Sequence, residues 1–170
     1  MYFPKKRVSL NIAETSYVMN AIYELIHQDN KNYQISSNYH QSLLDLFNGC
    51  KYLWSDHEWE VYKYVVTFEK SQRGWEIDRD AEWEINILDC DSIIFTLQHT
   101  FMRASKDFIN GDKDCKRLME VMSEILIPRF TNTFNDDEWK YYFSLIEDND
   151  SDDEVSQPLD IHNQDTQEVR

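Results

Sequence analysis

Apolar residues recur along this chain at two rhythms, and the change of rhythm divides it. From Asn11 the spacing is helical: Ile12, Val18, Ala21, Ile22, Leu25 and Ile26 make one stripe. Asn11 and Glu14, three residues apart, form a capping pair at its start. After a polar stretch from Gln28 to Ser37, a second stripe runs through Tyr39, Leu43, Leu44, Leu46, Phe47, Cys50 and Leu53. Ser55 and Glu58 form another capping pair, opening a third helix with Trp59, Tyr62, Val65, Val66 and Phe68. Residues 59–69 also have strand propensity. The capping pair and a matching segment further on assign them to helix instead.

That matching segment belongs to a second run of the same order. A helix carries Ile94, Leu97, Phe101, Ala104 and Phe108, and Gly111 with Asp112 breaks it. Leu118, Met119, Val121, Met122, Ile125 and Leu126 make the next, which Pro128 is expected to stop. Asn135 and Glu138 then cap a last helix with Trp139, Tyr142, Phe143 and Ile146. Met19-Asn20-Ala21 is echoed by Met102-Arg103-Ala104. Asp56-His57-Glu58-Trp59 with Tyr62 is echoed, at nearly the same offset, by Asp136-Asp137-Glu138-Trp139 with Tyr142. Repeated segments must adopt similar local structure. The expected fold is therefore mainly α, with two pseudo-repeated three-helix units (about residues 10–70 and 92–146) in one bundle. Together they make a single helical domain over residues 1–146.

Between the two runs the period falls to two. Trp75, Ile77, Arg79, Ala81, Trp83, Ile85 and Ile87 alternate with Glu76, Asp78, Asp80, Glu82, Glu84 and Asn86. This predicts a short β element over about residues 75–88, with a hairpin turn near residues 78–80. A helical rival exists, because Trp83, Ile87, Cys90, Ile94, Leu97, Phe101, Ala104 and Phe108 keep a 4-3 spacing that would start one long helix at Asp80. The strand reading is preferred, with the helix beginning near Asp91.

Composition agrees with helices. Only three Gly and three Pro occur in 170 residues, too few for a turn-rich β sandwich. No apolar run reaches the roughly 18 residues of a membrane span. Met1 to Arg7 carries charge without a following apolar signal core. Cys50, Cys90 and Cys115 are odd in number and far apart, and read as reduced core thiols of a cytoplasmic protein. Of the net charge of −15, −8 lies in residues 147–170, which hold nine acids and one base, and −7 in residues 1–146. With few large apolar side chains, residues 147–170 are expected to be a disordered acidic tail. Ser151 before Asp152, Asp153 and Glu154 would suit an acidophilic kinase, although a plain solvated tail is the simpler reading.

Catalytic and cofactor signatures are absent. Gly49, Gly74 and Gly111 are too far apart for a phosphate-binding loop, and there is no GxSxG or HExxH. Glu24 and His27 have a di-metal spacing, but the echo offers Asp107 and Asn110, without an imidazole. Cys50 lies beside Lys51, which could lower its pKa, yet it falls on an apolar stripe. No enzyme activity, metal or cofactor is expected. An enzyme would require His27, His57 or His99 to converge with a carboxylate in a pocket. Lys5, Lys6 and Arg7 are the one basic cluster, so direct nucleic-acid binding is disfavoured, as is a membrane.

The acidic row is the one local feature with a mechanism. In a strand, Glu76, Asp78, Asp80, Glu82 and Glu84 share a face about 6.6 Å apart, with Trp75 and Trp83 as anchors if either ring is exposed. Such a row can occupy a groove built for a nucleic-acid backbone. The simpler reading is a solvated strand face whose charge deters edge pairing. The expected function is a non-enzymatic acidic protein that sequesters or inhibits a basic, nucleic-acid-handling partner, as phage or mobile-element anti-defence inhibitors do. The alternative is an immunity or antitoxin protein against a basic nuclease toxin.

Overall fold

A computed structural model describes residues 2–27, 37–67, 77 and 79–152. Strand β1 (Lys6–Leu10) leads directly into helix α1 (Ile12–His27), followed by α2 (Ser37–Lys51) and α3 (Asp56–Thr67). Strand β2 (Ala81–Ile85) likewise leads into α4 (Ile87–Ile109). Then come α5 (Cys115–Glu120), a π-helical segment (Val121–Leu126), α6 (Ile127–Thr131) and α7 (Asp136–Asp152). Among the described residues the molecule is mainly helical, with one two-stranded antiparallel sheet.

The helix starts follow from side-chain caps. Asn11 Oδ1 accepts from the Glu14 amide at 2.8 Å while Glu14 Oε2 accepts from the Asn11 amide at 3.0 Å. Ser55 and Glu58 make the same exchange at 3.2 and 3.1 Å. Each pair satisfies amides that an α-helix leaves without partners. Asn86 Oδ1 caps α4 by accepting from the Asp89 amide at 2.8 Å. Residues 56–67 are helix, as the capping pair requires.

The β element corrects three expectations. It begins at Ala81 rather than near residue 75, and α4 starts at Ile87 rather than Asp91. Its partner is not a hairpin neighbour but the N-terminal segment: Lys6 pairs with Ile85, Val8 with Trp83 and Leu10 with Ala81. Val8, Leu10, Ala81, Trp83 and Ile85 turn inward, while Arg7, Glu82 and Glu84 stay exposed. A five-residue strand is stable only where a packed face supports it, and here the helices do so.

The core joins both halves of the strand–helix pattern. α1 packs on α2 and α4, and α4 packs on α5, the π segment and α6. Buried residues on α1 are Ile12, Thr15, Val18, Ala21, Ile22 and Leu25. On α4 they are Ile87, Cys90, Ile93, Thr96, Leu97 and Thr100, followed by Ala104. A shift that lays Asn11 on Asn86 superposes the first six of each helix, and it also exchanges the paired strands about Val8 and Trp83. The echo of Met19 in Met102 instead matches a half-buried side chain with one that is 71% exposed. A smaller cluster of Ile12, Trp54 and Ala81 receives Leu53, Trp59, Tyr62 and Ile77.

Pro128 does not stop its helix. The helical path continues through Thr131, because the π segment widens the coil just before the proline and Ile127 donates to the Met122 carbonyl five residues back. Glu14 of α1 receives Arg129 of α6, which also donates to the Ser9 carbonyl at 3.4 Å. All three cysteines are free and buried.

The chain divides into two compact units, residues 1–135 and 136–170. In the second unit α7 runs to Asp152, so residues 147–152 are helical rather than part of a disordered tail. Extending an established helix costs far less than nucleating one. Residues 153–170 lie outside the described residues. Within α7, Trp139 stacks on Phe143 at 5.8 Å and meets Tyr142 edge-on at 6.0 Å. Trp59 and Tyr62 of α3 share the edge-on geometry at 6.1 Å.

Candidate functional site

Alternation in β2 decides which acidic residues can meet a partner. Glu82 and Glu84 point outward beside exposed Asp80, which precedes the strand. Glu76, Asp78 and Trp75 lie outside the described residues. The outer face of the ladder therefore presents Glu82 opposite Ser9 and Glu84 opposite Arg7. Arg7 Nε donates to Glu84 Oε1 at 3.2 Å. Both side chains are more than half exposed, so solvent weakens this pair.

Trp83 is not an exposed anchor. Its ring is only 7% exposed and meets Phe130 edge-on at 6.3 Å. A Cβ on Gly49 would stand 3.3 Å from the indole Nε1, so the missing side chain is what admits the ring. The alternation that turns Glu82 and Glu84 outward necessarily turns Trp83 inward.

Arg79 behaves unlike the neighbouring acids. Its guanidinium donates to both carboxylate oxygens of Glu58, at 2.7 and 2.8 Å, and to the Leu53 carbonyl at 3.1 Å. It also lies 4.1 Å from the centre of the Trp54 ring. The Arg79 hydrogen bonds hold the Glu58 carboxyl down at about 2, helped by Ser55. This clamp fixes the approach to β2 against the start of α3. Nothing in the charge alternation marked Arg79 out, because its partner lies 21 residues away.

A separate cleft of about 560 Å³ opens between α1, α2 and α3. Tyr23, Phe47, Trp59 and Tyr62 give it apolar walls, and Lys51, Lys63, Asp56 and Glu60 also line it. Trp59 Nε1 donates to the Lys51 carbonyl at 2.8 Å, which fixes that ring. Balanced charge and aromatic walls suit reception of a side chain. No histidine or cysteine is among its lining residues.

The other chemical candidates are dispersed. His27 is exposed at the end of α1 against Tyr23, 4.1 Å between ring centres, and His57 is exposed on α3. His99 is half-buried on α4. Glu24, the acid of the di-metal spacing, is engaged by Arg103 and receives its Nη2 at 3.2 Å. Among the described residues, no group of three His, Cys, Asp or Glu could hold a metal ion. Burial raises the Cys50 thiol, and burial with Asp91 and Asp89 pushes Cys90 up to about 12, so neither is a ready nucleophile. No helix among the described residues is long and apolar enough to cross a membrane. Comparison of the chain with protein-family models, curated proteins and solved structures gives no match.

Proposed function

We propose that this chain is a binding protein that captures a basic, nucleic-acid-handling partner on the acidic outer face of its β ladder. One observation carries this reading: Asp80 just before β2 and Glu82 and Glu84 within it are exposed, while the intervening Ala81 and Trp83 are locked in the core. The carboxylates of Glu82 and Glu84 are thus held in register by packed neighbours. The lysines and arginines of a nucleic-acid groove meet similar rows of negative charge on a phosphate backbone. A chain charge of −15 would also speed encounter with a cationic partner. Buried thiols and dispersed histidines give less support to an enzyme.

The same reading extends to the architecture. We read β1–Asn11–α1 and β2–Asn86–α4 as two copies of one strand–cap–helix unit. Both caps are asparagines, and the buried positions coincide step for step. On this reading β2 belongs to the second copy, and its acids are what distinguish that copy's strand. A phage or mobile-element inhibitor and an immunity protein would use the same face. Adjacent phage genes would favour the first, an adjacent toxin gene the second.

The test is replacement of Asp80, Glu82 and Glu84 together by lysine in the full chain. The unaltered protein should retain basic proteins from host extract that elute as salt rises. The triple variant should bind the retained partner at least about 100-fold more weakly, with unchanged thermal stability. Equal affinity and equal salt dependence would move the site elsewhere.

A further inference from the structure

We propose that the outward face of α4 is a self-association surface, on which the α4 of a second copy docks antiparallel. Leu88, Phe95, Met102 and Ile109 are 50%, 46%, 71% and 83% exposed, and they stand at strict seven-residue steps. On a helix such steps drift only about 20° each, so the four side chains form one line about 31 Å long. The fold does not demand this line. At the corresponding positions of α1, counted from Asn11 as those of α4 are from Asn86, stand Ala13, Asn20 and His27 on the same buried framework. One helix keeps its outer row polar or small; the other makes it large and apolar.

The order of charge along α4 selects its own reverse as the occupant. Half-buried Asp91 lies in its first turns and exposed Lys106 in its last, whereas Asp89, about 100° away from the row and half-buried near Lys5 and Asp45, takes no part. Arg103, also near that end, is tied to Glu24 and Asp107 within the chain. Parallel docking would set like charges together. Antiparallel docking brings the acidic end of one helix to the Lys106 end of the other, and aligns the two macrodipoles favourably. It also sets Leu88 opposite Ile109 and Phe95 opposite Met102, a contact that suits a polarisable thioether against an aromatic ring. A twofold axis would pass near Gln98, giving the self-complementary interface of a closed dimer.

This surface is separate from Asp80, Glu82 and Glu84, and salt separates the two behaviours. Two copies each carrying −15 repel at long range, and salt screens that repulsion. Self-association should therefore strengthen with ionic strength, whereas capture of a basic partner weakens. Sedimentation equilibrium of the full chain should show a monomer–dimer equilibrium that shifts towards dimer as salt rises. Phe95→Glu and Met102→Glu should each weaken it by at least about tenfold, with circular dichroism and melting temperature preserved. Asn20→Glu on α1 should leave it unchanged. With a short bis-maleimide, Gln98→Cys should cross-link to itself, and Asp91→Cys should do so no more than the parent chain.

A monomer at every concentration and salt would overturn the proposal, as would a dimer indifferent to both glutamates. Efficient self-cross-linking of Asp91→Cys would overturn the antiparallel arrangement. A monomer whose Met102 resists oxidation while folded would show that a segment of the same chain covers the row, and would overturn it too.

Discussion

Helices α1 and α4 begin alike and end differently. Each follows a five-residue strand, each is capped by an asparagine, and each buries the same six positions relative to that cap. Their outward rows diverge: Ala13, Asn20 and His27 on α1, against Leu88, Phe95 and Met102 on α4. The approaches to the two strands diverge as well. Pro4 stands two residues before β1, while Arg79 stands two residues before β2 and clamps Glu58. Shared positions report what the scaffold needs. The divergent ones are free of that need, which makes α4's exposed row and the Arg79 approach better guides to what the chain does.

The largest expected effect tests the shared framework. Ile22 and Leu97 occupy the same step and are both fully buried. Ile22→Ala and Leu97→Ala should each lower unfolding free energy by about 2–5 kcal/mol, read by denaturant titration. If either proves silent, the two helices do not share a core role and the comparison breaks. Next come the caps. Asn11→Ala and Asn86→Ala should each cost about 1 kcal/mol in the same experiment. The first should cost no more than the second, because Glu14 accepts from the Asn11 backbone amide, which alanine keeps.

A smaller effect, acid-dependent, sharpens the contrast in the strand approaches. Glu58 is held at about 2 in the folded chain, against about 4.3 for a free glutamate. Its pairing with Arg79 therefore stabilises the fold above pH of about 4.5, and that contribution is lost as pH falls towards 2. Arg79 is 44% exposed, so solvent screening limits the effect to about 1 kcal/mol. Arg79→Ala should lower stability at pH 7 by that amount, and the difference from the parent chain should vanish near pH 2. A constant difference across that range would mean that Arg79 acts through its contact with Trp54 instead.

Local pattern alone determined much of this molecule. The helical stripes, the Asn11–Glu14 and Ser55–Glu58 caps, the helix at residues 56–67 and the outward direction of Glu82 and Glu84 all depend on neighbours within a few residues. Tertiary structure decided the rest, because each remaining feature needs a partner that sequence distance conceals. Lys6–Leu10 is too short to announce a strand until β2, far along the chain, pairs with it. Trp83 could have been an anchor on either face until Gly49 and Phe130 received its ring. Pro128 stops an isolated helix, and only the π segment before it lets the path continue to Thr131. The outer row of α4 was legible as apolar residues, but periodicity could not tell core from surface. That decision came from which faces of the helix α1, α5, the π segment and α6 cover.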